Sequence, residues 1–265
     1  MIKILTLILT SLFFNTLSAD TLKPEAHFVG YTTCISCHED EVKQWQASHH
    51  NKAMQHADET NVLGDFNQSV FKNYGLMTTF YKKYTDKGTQ FWVQTDGPDG
   101  KLQDYPIKYT FGVYPLQQYL IEFPGGRLQA LDIAWDSRSK EQGGQRWYHL
   151  HPNEKITSND VLHWTGPNMN WNYMCAFCHS TNLDKNYNSE TDTYKTSWSE
   201  INVSCEACHG PASQHLLWAE KSQKDNNQFK TVPLKAMGLL NQLDERKEIQ
   251  WSIEQNKHTI LILKN

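Results

Sequence analysis

All six cysteines of this 265-residue chain fall in three copies of one five-residue pattern, Cys-x-x-Cys-His, and no other feature restricts the fold so strongly. The copies are Cys34-Ile-Ser-Cys37-His38, Cys175-Ala-Phe-Cys178-His179 and Cys205-Glu-Ala-Cys208-His209. At this spacing two thiols can form thioethers to the vinyl groups of one haem, while the adjacent histidine coordinates its iron. The reading is three covalently held haem c groups. Cys34, Cys37, Cys175, Cys178, Cys205 and Cys208 bind the cofactor, and His38, His179 and His209 are the proximal iron ligands. No cysteine remains for a structural disulfide. A four-cysteine zinc site made from the second and third boxes would leave the first box and three histidines unexplained.

Residues 1–19 read as a secretory signal: Lys3 supplies the positive end, residues 4–14 an apolar run, and Ala19 a small residue at the cleavage point. That run is too short to span a bilayer, and no membrane span is expected after its removal. The chain is therefore expected in the periplasm or otherwise exported, where thiols become disulfides unless another chemistry takes them first. Haem attachment is that chemistry. A net charge of −4, without a basic patch, argues against nucleic acid as a partner. The hydrophobic fraction of 38% is low for a conventional core, yet nine tryptophans and twelve tyrosines are present. Porphyrin faces would supply the missing apolar surface, with aromatics packed beside them.

Residues 20–65 form a first haem-binding segment. Residues 39–54 lack Gly and Pro and read as a helix, with His38, Val42, Trp45, His49 and Ala53 on one face. One of the neighbours His49 and His50 is expected to ligate iron, and periodicity favours His49. Such a residue lies about 16–18 Å along the helix from His38 at 1.5 Å per residue, so it would serve another haem. Residues 66–148 change texture. The stretches 77–84, 90–95, 107–113, 119–123 and 128–135 are rich in Thr, Tyr, Phe, Val and Ile, and are punctuated by Asp-Gly-Pro-Asp-Gly and Pro-Gly-Gly turns. They read as strands of an inserted module, with helix left open for 115–122. Asp132, Asp136 and Arg127 read as solvated charges at strand ends.

Residues 149–220 hold the second and third boxes, and 221–265 a C-terminal extension. Of twelve histidines three lie in the boxes, leaving nine for distal ligation. His163, in a loop before the second box, is a candidate distal ligand with His149 as its competitor. His215 is too near His209 to reach the far face of the same haem, and so is expected to ligate a neighbour. The fold class expected is α+β: a mainly helical multihaem core with little regular structure, plus a β-rich insert between the first and second boxes.

The boxes, together with Trp45-Gln-Ala-Ser-His-His50, Tyr109-Thr-Phe-Gly-Val-Tyr-Pro-Leu-Gln-Gln-Tyr119, Phe123-Pro-Gly-Gly-Arg127, His163-Trp-Thr-Gly166 and Cys-His-Gly-Pro211 with His215, resemble the multihaem cytochromes of the cytochrome c-554 type. The likeness is to the long variety, whose members often continue into helical repeats. It implies periplasmic electron transfer through closely packed, mostly bis-histidine haems, and its Ser-x-His ligand falls on His50. The distal candidates are then His50, His163 and His215. Expected partners are redox proteins, another multihaem cytochrome or a quinol-linked dehydrogenase among them. The alternative function is a periplasmic oxidoreductase acting on a small nitrogen or sulfur compound at one haem with an open iron position, where Arg127 or a spare histidine holds an anion or delivers protons.

Overall fold

The computed structural model describes residues 25–86, 88–224 and 238–239, and the backbone of 249–254 and 257–262. The signal reading at 1–19 and most of the 221–265 extension lie outside the described residues. The first box is followed by α1 (Glu39–Ala47), whose first turn carries Glu39, Asp40 and Glu41, charges that favour a helix N-terminus. The helix stops at Ala47. There the Ser48 hydroxyl donates to the Trp45 carbonyl at 2.6 Å, a local bond that competes with continuation. The expected helix to residue 54 is thus corrected, and with it the wheel that favoured His49. Met54, instead of ending a helix, opens a strand and is fully buried.

That strand, β1 (Met54–His56), belongs to a sheet with β2 (Ser69–Asn73), β3 (Leu76–Thr85), β4 (Gly88–Asp96), β5 (Leu102–Phe111), β6 (Leu116–Phe123), β7 (Arg127–Ala130), β8 (Ile133–Asp136) and β9 (Arg146–His149). The order is β2-β3-β4-β5-β6-β8-β9, antiparallel throughout, with β1 on β5 and β7 on β6. The strands expected from alternating aromatic and β-branched residues are present, and the stretch for which helix was left open is strand from Leu116. The sheet curls until its two ends nearly meet. Trp147 of β9 donates its indole N–H to the Ser69 hydroxyl at the start of β2, at 2.9 Å, and stacks on Phe80 with centroids 3.6 Å apart.

The expectation of a mainly helical core is overturned: the chain is β-rich, built on a barrel-like antiparallel sheet. The helices at the second and third boxes, α2 (Trp171–Met174), α3 (Ala176–His179) and α4 (Cys205–His209), are single turns. Gly210 ends α4 at φ 76°, a conformation that side chains resist. Among the described helices only α5 (Ser213–Lys224) extends for three turns. Two short hairpins complete the described elements: β10 (Tyr187–Asn188) with β11 (Thr193–Tyr194), and β12 (Ile249–Glu254) with β13 (Lys257–Ile262).

The sheet buries both faces, and a bulge in β5 makes this possible. Tyr105 and Ile107 point into one core with Phe66, Phe80, Phe91 and Trp147; Tyr109 and Phe111 point into another with Met54, Leu120, Leu128 and Trp171. All four β5 residues have odd numbers, so a regular strand would send them to the same side. Pairing with β6 slips by one residue between Ile107 and Tyr109, which turns the second pair to the opposite face. Cys175 and Ala176 of the second box pack on that second core. The bulge therefore shapes the seat of the second box.

Candidate haem-binding centre

The second box is held by the sheet. The tip of the β6–β7 hairpin comes so close to Tyr194 that a Cβ at Gly126 would collide with its carbonyl, and φ there is 72°. Leu128 N–H donates to the Asn172 side chain at 2.7 Å, and Asn172 returns its amide to the Gly126 carbonyl. Asn170 caps α2 by accepting from Tyr173 N–H. His179 then donates its Nδ1–H to the Ala53 carbonyl at 2.8 Å, with Phe111 edge-on to its ring. That bond places the ring proton on Nδ1 and presents Nε2, the usual way in which a protein orients a metal-bound imidazole. Burial raises the Cys175 thiol, so it is a thiol rather than a thiolate at neutral pH.

The first and third boxes meet each other. Glu206, between the two cysteines of the third box and 2% exposed, accepts the N–H groups of Val29 and Gly30 and that of Ala212 at 2.8 Å. The arm before the first box is thereby tied to both ends of the third. Trp45 donates to the Val203 carbonyl at 2.8 Å, and Val203 N–H donates to the His50 carbonyl. Thr181, just after the second box, donates to Asn202 and accepts from Ser204 N–H, so all three boxes share one hydrogen-bonded frame.

Inside this frame Cys34 and Cys205 share a hydrogen bond that raises the first thiol and lowers the second. His38 and His215 are neighbours, with ring centroids 6.3 Å apart and planes inclined by 31°. Burial, followed by the neighbouring His215 and His38 rings, holds His209 below its ordinary value, which favours the neutral form that ligates metal. Beside His38 and His215 lies a cavity of 570 Å³ whose lining includes Cys34, Cys37, Leu216 and Trp218.

The residues present fit haem on two counts. Large apolar side chains in and beside the boxes face outward, Phe177 at 78% and Met174 at 54% exposed, as surfaces for a porphyrin to cover. With each metal–imidazole bond about 2 Å long, as at other imidazole-bound metals, two rings on one iron have centroids roughly 6 Å apart. The His38–His215 spacing matches that requirement.

The candidate distal ligands differ in placement. His215 stands beside His38. His50 is exposed in the turn after α1, with its backbone against the segment leading to the third box, and its neighbour His49 lies 6.3 Å from the Tyr114 ring. His163 is 2% exposed, and both its ring nitrogens are engaged: Nδ1 with Thr165 at 2.7 Å, Nε2 with Asp96 at 3.1 Å. His149, its competitor, is likewise engaged, accepting His151 N–H on Nδ1 with Nε2 toward Asp132. Asp132 and Asp136, expected in solvent, are 5% and 3% exposed: Asp136 ends β8, whose residues are all buried between β6 and β9, and Asp132 immediately precedes it. Glu206 was missed; a charged residue inside a box carries no sequence mark of burial.

Three cysteine pairs, each with its histidine, on one frame, with two imidazoles close together beside an apolar cavity, define a protein of the c-type cytochrome class. A sequence model of the family described as cytochrome c554 and c-prime matches residues 33–77 and 134–210. On these two stretches the chain is similar to the c554-type cytochromes, a class of haem c electron-transfer proteins whose members are typically exported. The unmatched residues 78–133 carry most of the sheet. Comparisons with curated proteins and with solved structures yield no match. No helix among the described residues is long and apolar enough to cross a membrane.

Proposed function

We propose that this chain is a periplasmic electron carrier with three covalently attached haem c groups, mostly bis-histidine ligated, exchanging electrons with redox partner proteins. Haem iron supplies the one-electron chemistry. The chain's own residues do the rest. The box cysteines anchor, His38, His179 and His209 ligate from one side, and Glu206 and Thr181 hold the boxes in one unit. His215 is read as the distal ligand of the first box, and His50 as that of another. The observation that carries this reading is the neighbouring pair His38 and His215 on the 570 Å³ cavity.

The test is protein matured with a c-type haem assembly system, assayed by pyridine haemochrome and by electron paramagnetic resonance. Three haems per chain with mainly low-spin iron is the expected result. Fewer than three thioether-bound haems, or only high-spin iron, would overturn it.

A second reading rests on His163. With both nitrogens engaged it leaves one fewer distal candidate, which favours an open iron position and an oxidoreductase acting on a small nitrogen or sulfur compound. Titration with cyanide and nitrite decides: spectra unchanged in both redox states remove this reading.

A further inference from the structure

A cavity of 760 Å³ lies between β7, the 165–170 loop and the β10–β11 hairpin, and no box cysteine or histidine lines it. Strand alternation builds its wall. Leu128 and Ala130 of β7 point into the second core, so Arg127 and Gln129 share the opposite face, toward the loop and the hairpin. The hairpin contributes Tyr187 and Tyr194, cross-strand partners with ring centroids 4.7 Å apart, and Tyr173 of α2 adds a third ring. The volume is that of an ordinary small-molecule site.

Gln129 is 2% exposed, and its hydrogen bonds fix which way its amide points. Nε2 donates to the carbonyls of Trp164 at 2.9 Å and Gly166 at 3.0 Å, so both N–H groups are spent. The amide oxygen, Oε1, has no donor among the described residues. A buried acceptor without a donor is costly, and native structures supply it with one. What fills the cavity must therefore bring an O–H or N–H group.

The charges on the lining are unevenly matched. Arg127 pairs with Asp192, which also accepts the Tyr187 hydroxyl at 2.8 Å. Lys185 is half-buried, donates to the Tyr173 carbonyl at 3.3 Å and lies 4.6 Å from the centre of that ring, yet makes no ion pair with a carboxylate among the described residues. Two cations against one carboxylate leave one positive charge.

We infer that this cavity binds a hydroxylated aromatic acid, with its ring among the tyrosines, its hydroxyl donating to Gln129 Oε1 and its carboxylate toward Lys185. An inorganic anion would leave Gln129 without a donor. A neutral phenol would leave the lysine unmatched.

The experiment is isothermal titration of the haem-loaded protein with 4-hydroxybenzoate. Benzoate lacks the donor, phenol lacks the charge, and sulfate is the inorganic anion. One saturable 4-hydroxybenzoate site is expected, weaker by at least about tenfold for benzoate, for phenol, and in Gln129→Met and Lys185→Gln. No saturation, as when water alone fills the cavity, overturns the assignment. So does benzoate, phenol or sulfate binding there as tightly as 4-hydroxybenzoate, or undiminished binding to either variant. A haem absorption shift during the titration would place the ligand on iron and also overturn it. Because Gln129 holds the 164–166 loop, circular dichroism and haem absorption check that Gln129→Met is folded. Should that variant not accumulate, 4-hydroxybenzoate against benzoate on the unmodified protein tests the same hydrogen bond.

Discussion

The imidazoles of His38 and His215 lie with centroids 6.3 Å apart, although 177 positions separate them in the chain. The first box and α5 are joined there through the arm at 27–30, Glu206 and Ser213, whose hydroxyl accepts the His27 N–H and whose own N–H donates to the His27 carbonyl. His215→Ala is expected to convert one haem of three to a high-spin or water-ligated form and leave the others unchanged. Electron paramagnetic resonance of the oxidised variant checks this, and a spectrum identical to wild type would refute the pairing.

Glu206 is a buried carboxylate whose donors are backbone N–H groups from two distant segments. Glu206→Ala leaves those donors without an acceptor, at a cost of about 1–3 kcal/mol for a buried group left unsatisfied. Glu206→Gln keeps one oxygen and is expected to lose less. Chemical denaturation of both variants gives the comparison, and the alanine variant is also expected to attach less haem at the first box.

Closure of the sheet depends on Trp147, which meets Phe66, Phe80 and Trp135 as well as Ser69. Trp147→Ala is expected to destabilise the fold by about 3–5 kcal/mol, the usual range for removing a large buried aromatic. Ser69→Ala, which removes the bond from Trp147 and the one the hydroxyl donates to the Asp65 carbonyl, is expected to cost about 2 kcal/mol. In the double variant the two effects should fall short of additive, since both act on one contact.

Asp136 is held below the usual carboxylate range, first by hydrogen bonds from the Arg138 side chain. With the folded value depressed and the unfolded value near about 4, the unfolded chain binds the proton more readily. The pair therefore stabilises the fold above the unfolded value, and that contribution is lost as pH falls through the folded one. Arg138→Gln is expected to move the acid-unfolding midpoint to higher pH. Circular dichroism against pH measures the shift, and coincident curves would exclude it.

The strands of the insert were readable because alternation of Tyr, Thr, Val and Phe is a local signal, and so was the Pro-Gly-Gly turn at 124–126. The end of α1 was not. Nothing in the composition of 48–54 marks a break, and the competing forces are the Ser48 bond and the burial of Met54 in the sheet. Polar residues are as hard to place: Asp132 looks solvated on any strand whose neighbours are unknown, and nothing near His163 in the sequence points to Asp96 as its neighbour.

The sequence by itself determined where haem can be attached, since thioether chemistry needs only two cysteines and a histidine within five consecutive residues. It also determined which stretches would be extended, through side-chain preferences that act over neighbouring positions. Tertiary structure alone decided that the sheet curls toward a barrel, that a slip at Lys108 gives it a second buried face for the second box, and that His38 meets His215 while His163 meets Asp96. These depend on contacts between residues tens to more than a hundred positions apart, whose energies arise from burial and pairing across the fold and leave no mark on either partner's immediate sequence.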